Sequence, residues 1–108
     1  MKINILPTAW EDLKQIEDYY LIEFNVDTAL KVSDHILDCI ERLSDHPDSG
    51  SMTPDEWLNR HGYRMVICKQ HVAIYRCIHD EIFIYHIADT RTDYTKLFQR
   101  QGRQLPDL

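Results

Sequence analysis

No run in this 108-residue chain approaches the roughly 18 consecutive apolar residues that a membrane span needs. The opening Met1-Lys2-Ile3-Asn4-Ile5 has neither the apolar core nor the small-residue cleavage site of a secretory signal. A cytoplasmic protein is the expectation. Paired cysteine motifs are missing too: Cys39, Cys68 and Cys77 are odd in number and form no CxxC. Their places, one on a helical apolar stripe and two in strand-like runs, predict buried, reduced packing residues. The six histidines show no HxxxH spacing, so neither a zinc site nor any other metal or cofactor is expected. There is no internal repeat, low-complexity tract or second domain. The chain reads as one domain over residues 1–98 with a loosely held tail over 99–108.

What is present begins with hydrophobic residues at 44% and aromatics at 10%, enough for a single core of two packed layers. The net charge of −6 is unevenly spread. Acids dominate residues 1–56, whereas bases outnumber acids in residues 57–108. That balance argues against indiscriminate nucleic-acid binding, yet leaves room for a local anion-binding face in the second half. The plain alternative is that the first-half acids solvate helix surfaces.

Lys2–Leu6 alternates and reads as a short strand. Thr8 and Glu11 form a capping-box pair for a helix carrying Ala9, Leu13, Ile16 and Tyr20 at helical spacing, ending near Glu23 or Phe24. Asn25-Val26-Asp27 breaks it, and Asp27 is a cap for a second helix with Ala29, Val32, Ile36, Ile40 and Leu43 on one stripe. Pro47 stops that helix. Two amphipathic helices with so short a connection make an antiparallel hairpin. Thr53-Pro54-Asp55-Glu56 resembles the capped start of a single helical turn. Three strand-like runs follow, YRMVIC, HVAIYRCI and EIFIYHIA, and Thr92–Phe98 reads as a short final helix. The expected fold class is α+β: an N-terminal strand, a two-helix hairpin, a three-strand antiparallel meander and a short C-terminal helix.

Arg64, Arg76 and His86 interrupt these apolar strands. A guanidinium there is costly unless it is paired or lines a site. Three-residue hairpin loops, Lys69-Gln70-His71 and His79-Asp80-Glu81, place all three on one face with Val66, Ile74 and Ile84. Tyr63, Met65, Tyr75, Phe83, Tyr85 and Ile87 then lie on the other. Two-residue loops, commoner in general, instead put Arg76 beside Tyr63 and Phe83 and away from Arg64 and His86. The first register is the preferred expectation.

The order of elements, with Ala9-x-x-Asp12-Leu13-x-x-Ile16-x-x-Tyr19, Leu43-x-x-x-Pro47-x-x-Gly50, Gly62-Tyr63-Arg64, Ile74-Tyr75-Arg76 and Ile84-x-x-Ile87-x-x-x-Arg91-x-Asp93-Tyr94, resembles the RelE/ParE toxin superfamily. The resemblance spans about residues 2–98. It implies the toxin of a type II toxin–antitoxin system, bound and neutralised by a cognate antitoxin in a hetero-oligomer. One branch of that superfamily cuts mRNA in the ribosomal decoding site, whereas the other poisons DNA gyrase. Some members have no demonstrated toxicity.

Ribosome-linked mRNA cleavage is the first expectation, with a gyrase-binding toxin without its own catalysis, or a degenerate toxin that retains only antitoxin binding, as alternatives. For cleavage, the candidate catalytic set is Arg64, Arg76, His86, Arg91 and Tyr94. The 2′-hydroxyl needs a base, the phosphorane needs cations and the leaving oxygen needs an acid. The arginines supply planar cationic forks, and His86 titrates near neutrality. Tyr94 matches a C-terminal tyrosine of the ribonuclease branch, and Glu56 is a weaker base. Each also has a structural reading: arginines paired to carboxylates such as Asp89 or Glu81, a hydrogen-bonded His86, Arg91 and Asp93 pairing at the last helix, a packing Tyr94 and a capping Glu56. An acidic chain with only Lys69 and Lys96 in its second half departs from the basic ribonuclease pattern. The gyrase reading needs binding contacts alone. An antitoxin segment is expected in an apolar groove, with its carboxylates set against Arg64, Arg76 or Arg91.

Overall fold

The computed structural model describes residues 1–99; the expected tail, apart from Gln99, lies outside the described residues. The elements are β1 (Lys2–Ile5), α1 (Pro7–Glu23), α2 (Val26–Glu41) with a 3-10 turn at Arg42–Ser44, β2 (Ser51–Met52), and α3 (Glu56–Arg60). They continue with β3 (Arg64–Cys68), β4 (His71–Ile78), β5 (Glu81–Asp89) and α4 (Thr95–Gln99). The α+β order expected from the sequence is the one observed, with the two-residue β2 added. The sheet runs β1-β5-β4-β3-β2. Its first strand pairs parallel to β5, Ile5 opposite Ile84, and the meander is antiparallel.

The helix starts differ from the capping signals. Pro7 occupies the first turn of α1, so Leu6 stands at the cap with no side-chain bond, and Thr8 Oγ1 donates instead to the Tyr85 carbonyl at 2.6 Å. In α2 the cap is Asn25, whose Oδ1 accepts from Thr28 N at 2.8 Å, and Asp27 falls within the first turn. Asp55 caps α3 through Leu58 N at 3.0 Å, leaving Glu56 as its first helical residue.

Both hairpin loops have two residues, which overturns the preferred register. Cys68 pairs with His71, and Ile78 pairs with Glu81. Left-handed backbone at Lys69, His79 and Asp80 makes the tight turns possible without glycine. Within β5 the ladder slips, Ile74 facing His86 while Tyr75 faces Ile84, so Tyr85 is an extra residue. This bulge breaks the two-residue period. Ile82, Ile84 and Ile87 therefore share the face covered by the helices, and Phe83, Tyr85 and Ala88 share the other.

On the helical face Ala9, Leu13, Ile36, Ile40 and Leu43 close over Ala73, Tyr75, Ile82, Ile84 and Ile87, all at most 2% exposed. Full burial of each Leu or Ile contributes roughly 1.5–3 kcal/mol before entropy is subtracted. The opposite face is closed by α3 and α4, with Leu58 and Phe98 seated on Tyr63, Val72, Ile74 and Tyr85. Cys39 and Cys68 are not reduced packing residues. The α2 stripe lays Cys39 on the end of β3, the Cα atoms come within 6.0 Å, and the two form a disulfide. Cys77 is free but exposed rather than buried.

Candidate functional site

Arg64 lies on β3 opposite Tyr75, where its guanidinium gathers the preceding loop. Its Nη2 donates to the carbonyls of Gly50 at 2.7 Å and Asp48 at 3.3 Å, and Nη1 approaches Met52 Sδ at 3.3 Å. Tyr75 Oη donates to the Pro47 carbonyl at 2.9 Å from beneath the same loop. A half-buried guanidinium whose Nη groups are held by carbonyl oxygens in this way is a loop anchor. Gly50 is required there, because a Cβ would meet the Tyr75 hydroxyl and stand 2.6 Å from the Met65 carbonyl.

Arg76 lies on the opposite face. Its Nε and Nη2 donate to Tyr85 Oη at 3.0 and 2.6 Å, and its guanidinium sits 4.8 Å from the Tyr63 ring centre and 5.0 Å from that of Tyr85. Cation–π attraction and hydrogen bonding hold it in an aromatic nest. Burial pushes the Tyr85 phenol up, opposed by the Arg76 bond and charge. Tyr63, fully buried against Tyr85 and Phe98, is pushed up to about 12 chiefly by desolvation, and its hydroxyl has no partner among the described residues.

The bulge turns His86 toward α1 and α4. Its Nδ1 lies 2.8 Å from Asp12 Oδ2, and its ring stands edge-on to Phe98 at 5.0 Å. The same Asp12 oxygen accepts from Ile87 N at 3.0 Å. β1 stops its pairing at Ile84, so Asp12 caps the continuing edge of β5 where no strand follows. In the sequence Asp12 stands out only within the first-helix motif, with no role assigned to it. Its place at one end of the helical motif, facing a polar residue in a distant apolar strand, was the available signal.

Arg91 stands apart from both faces. It makes a bidentate pair with Asp89, Nε to Oδ1 at 3.0 Å and Nη2 to Oδ2 at 3.2 Å, which holds the Asp89 carboxyl below its ordinary range. Tyr94 Oη points at Met65 Sδ, 3.7 Å away, and burial raises its ordinary pKa. Glu56 is exposed in the first turn of α3.

The shared surface expected for Arg64, Arg76 and His86 is therefore not formed. Arg76, His86 and Tyr94 border the second core, where Tyr63, Tyr85 and Phe98 fill the space among them. Arg64 and Arg91 lie elsewhere, one under the Pro47–Met52 loop and one past the end of β5. Among the described residues no group of three or more His, Cys, Asp or Glu side chains is placed to hold a metal. Among the described residues no helix is long and apolar enough to cross a membrane.

Residues 3–94 match the family described as the ParE toxin of the type II toxin–antitoxin system, parDE. A search of the curated proteins gives no match. The fold is similar to that of the chromosomal ParDE toxin–antitoxin system from P. aeruginosa, with 25% identity and a TM-score of 0.71 over 82% of this chain and 95% of that one. It also resembles the toxin–antitoxin complex RelBE2 from Mycobacterium tuberculosis, at 16% identity and a TM-score of 0.62, again over 82% and 95% of the two chains. Sequence match, element order and fold agree: the chain belongs to the ParE toxin family of type II toxin–antitoxin systems, within the RelE/ParE superfamily.

Proposed function

We propose that this toxin acts by binding its target rather than by cutting RNA, with DNA gyrase as that target and a cognate antitoxin as its neutralising partner. The observation that carries this reading is that the four charged candidates already have partners within the chain and are scattered over separate places. Arg64 serves loop carbonyls, Arg76 serves Tyr85, His86 serves Asp12, and Arg91 serves Asp89. Phosphoryl transfer from a 2′-hydroxyl needs its base, acid and cations around one phosphorus. Here they are dispersed, and the net charge of −6 slows approach to ribosomal RNA.

A binding mode also accounts for surface that chemistry does not use. The turn of the helical hairpin exposes Tyr19, Ile22, Phe24, Val26 and Leu30, each at least 56% accessible. Apolar surface of this kind is a protein-docking feature. Of the three arginines expected to meet antitoxin carboxylates, Arg91 is the reachable one, with its side chain 88% exposed. An antitoxin acid there competes with Asp89.

The test is induction of the toxin without antitoxin, reading growth, ribosomal mRNA integrity and DNA supercoiling by purified gyrase. The expected result is growth arrest with intact mRNA and inhibited supercoiling. Prompt mRNA cleavage abolished by Arg91→Ala or Tyr94→Phe, in variants that remain folded, would overturn the binding mechanism and restore the nuclease reading.

A further inference from the structure

A second region of the molecule concentrates positive charge without internal carboxylate partners. Between the α1–α2 hairpin and the β3–β4 turn lies a cleft of about 320 Å³. Its charged lining consists of Lys31 from α2 and Lys69 from the turn, with His35 and His71 beside them. Among the described residues no carboxylate lines it, in a chain where acids outnumber lysines and arginines by 18 to 12. Val32 and the ring of Tyr20 supply apolar wall.

His71 is the informative member. It is only 5% exposed, and its imidazole makes no hydrogen bond to any described residue. The ring is steadied instead by the edge of Tyr20, with centroids 6.1 Å apart, and the Tyr20 hydroxyl approaches Gln70 Oε1 at 3.4 Å. Desolvation holds its basicity below the ordinary histidine value, opposed by Asp89 and reinforced by His35. A buried polar ring with unused hydrogen-bonding capacity commonly meets a ligand or water.

We propose that this cleft binds a phosphate monoester, with Lys31 and Lys69 holding the phosphoryl group, His35 and His71 donating to it, and Val32 with Tyr20 enclosing an apolar body. A phosphoryl group carries about −1.5 to −2 charges near pH 7 and three acceptor oxygens, matching two permanent cations and two ring donors better than a carboxylate does. The volume falls at the small end of the roughly 300–1,000 Å³ typical of ligand sites, which fits a small molecule and not a nucleic-acid strand. The charged and titratable groups around His71 are Tyr20 from α1, Lys31 and His35 from α2, Lys69 from the turn and Asp89 from β5, and Asp89 is held by Arg91. An entering dianion therefore adds the strong negative partner His71 lacks, and binding takes up protons.

The test titrates the full chain with phenyl phosphate, inorganic phosphate and benzoate, following histidine ring resonances by NMR and affinity by calorimetry. Saturable binding of phenyl phosphate is expected, at least tenfold tighter than either other probe, with shifts at His35 and His71 and a raised His71 pKa. The K31Q/K69Q variant, altered only at exposed side chains, should retain its melting temperature and bind at least tenfold more weakly. Inorganic phosphate binding as tightly would overturn the role of the apolar body. Benzoate binding as tightly would overturn phosphate selectivity. Absence of saturation, or equal affinity in the folded K31Q/K69Q variant, would overturn the site.

Discussion

Asp12→Ala should be among the most damaging single changes on the toxin's polar framework. One oxygen of Asp12 accepts from Ile87 N at 3.0 Å and meets His86 Nδ1 at 2.8 Å, with the two side chains only 15% and 8% exposed. Alanine removes the acceptor that the Ile87 amide and His86 share, and each such loss costs about 1–3 kcal/mol when buried. Asp12 also borders an open groove of about 620 Å³, so water can replace part of what is lost. The expected cost is therefore about 3 kcal/mol, toward the lower half of the summed range. For a domain of this size that lowers the melting temperature by roughly 12–24 °C. Asp12→Asn keeps an oxygen able to face both donors and should cost only about 1 kcal/mol. Urea unfolding of the three proteins, with equal m-values, measures both differences. An alanine variant within about 1 kcal/mol of the parent would refute the claim that Asp12 seals the open edge of β5.

Tyr63→Phe should leave stability unchanged or slightly improved at pH 7, because the hydroxyl it removes is buried without a partner among the described residues. The parent should lose stability as pH rises from about 10 toward 12: the folded phenol is raised to about 12 from 10.0, so the unfolded chain ionises first. Urea midpoints at pH 9 to 12 should show that loss in the parent and a smaller one in Tyr63→Phe. At the acid end His71 acts in the opposite pH direction. Its folded pKa lies below the ordinary histidine value of 6.5, so its contribution is intact above that value and declines as pH falls, the unfolded chain binding the proton more readily. Urea midpoints between pH 5 and 7.5 should fall less steeply in His71→Gln. Gly50→Ala should destabilise by about 1–3 kcal/mol by forcing the Tyr75 hydroxyl and the Met65 carbonyl apart, read as a lowered thermal midpoint.

Local patterns revealed the elements of this fold, but not how the strands align. Helical spacing of Leu13, Ile16, Ile36 and Ile40 is a local property, and these residues pack as that spacing implies. Strand register instead depends on hairpin turns and on the bulge at Tyr85. Lys69, His79 and Asp80 take left-handed backbone without the glycine that usually signals it. One residue of slip exchanges faces: the short turns put Arg76 beside Tyr63 and Tyr85, the bulge put Ile87 under the helices, and the expected polar surface was lost. Candidate site residues could be named from their chemistry, but their partners could not. Asp12 and His86 are 74 positions apart, and Cys39 meets Cys68 only because α2 crosses the end of β3.

That cysteine bond closes a covalent ring across 29 positions, and the exposed stretch containing Asp45, His46, Asp48 and Ser49 lies within it. A protease cutting there would nick the toxin without dividing it. The amino-terminal piece bearing both long helices and the carboxyl-terminal piece bearing the meander would travel together on a denaturing gel and separate only after a thiol was added. The redox state of the surroundings thus decides whether one backbone cut leaves a repairable whole or two fragments.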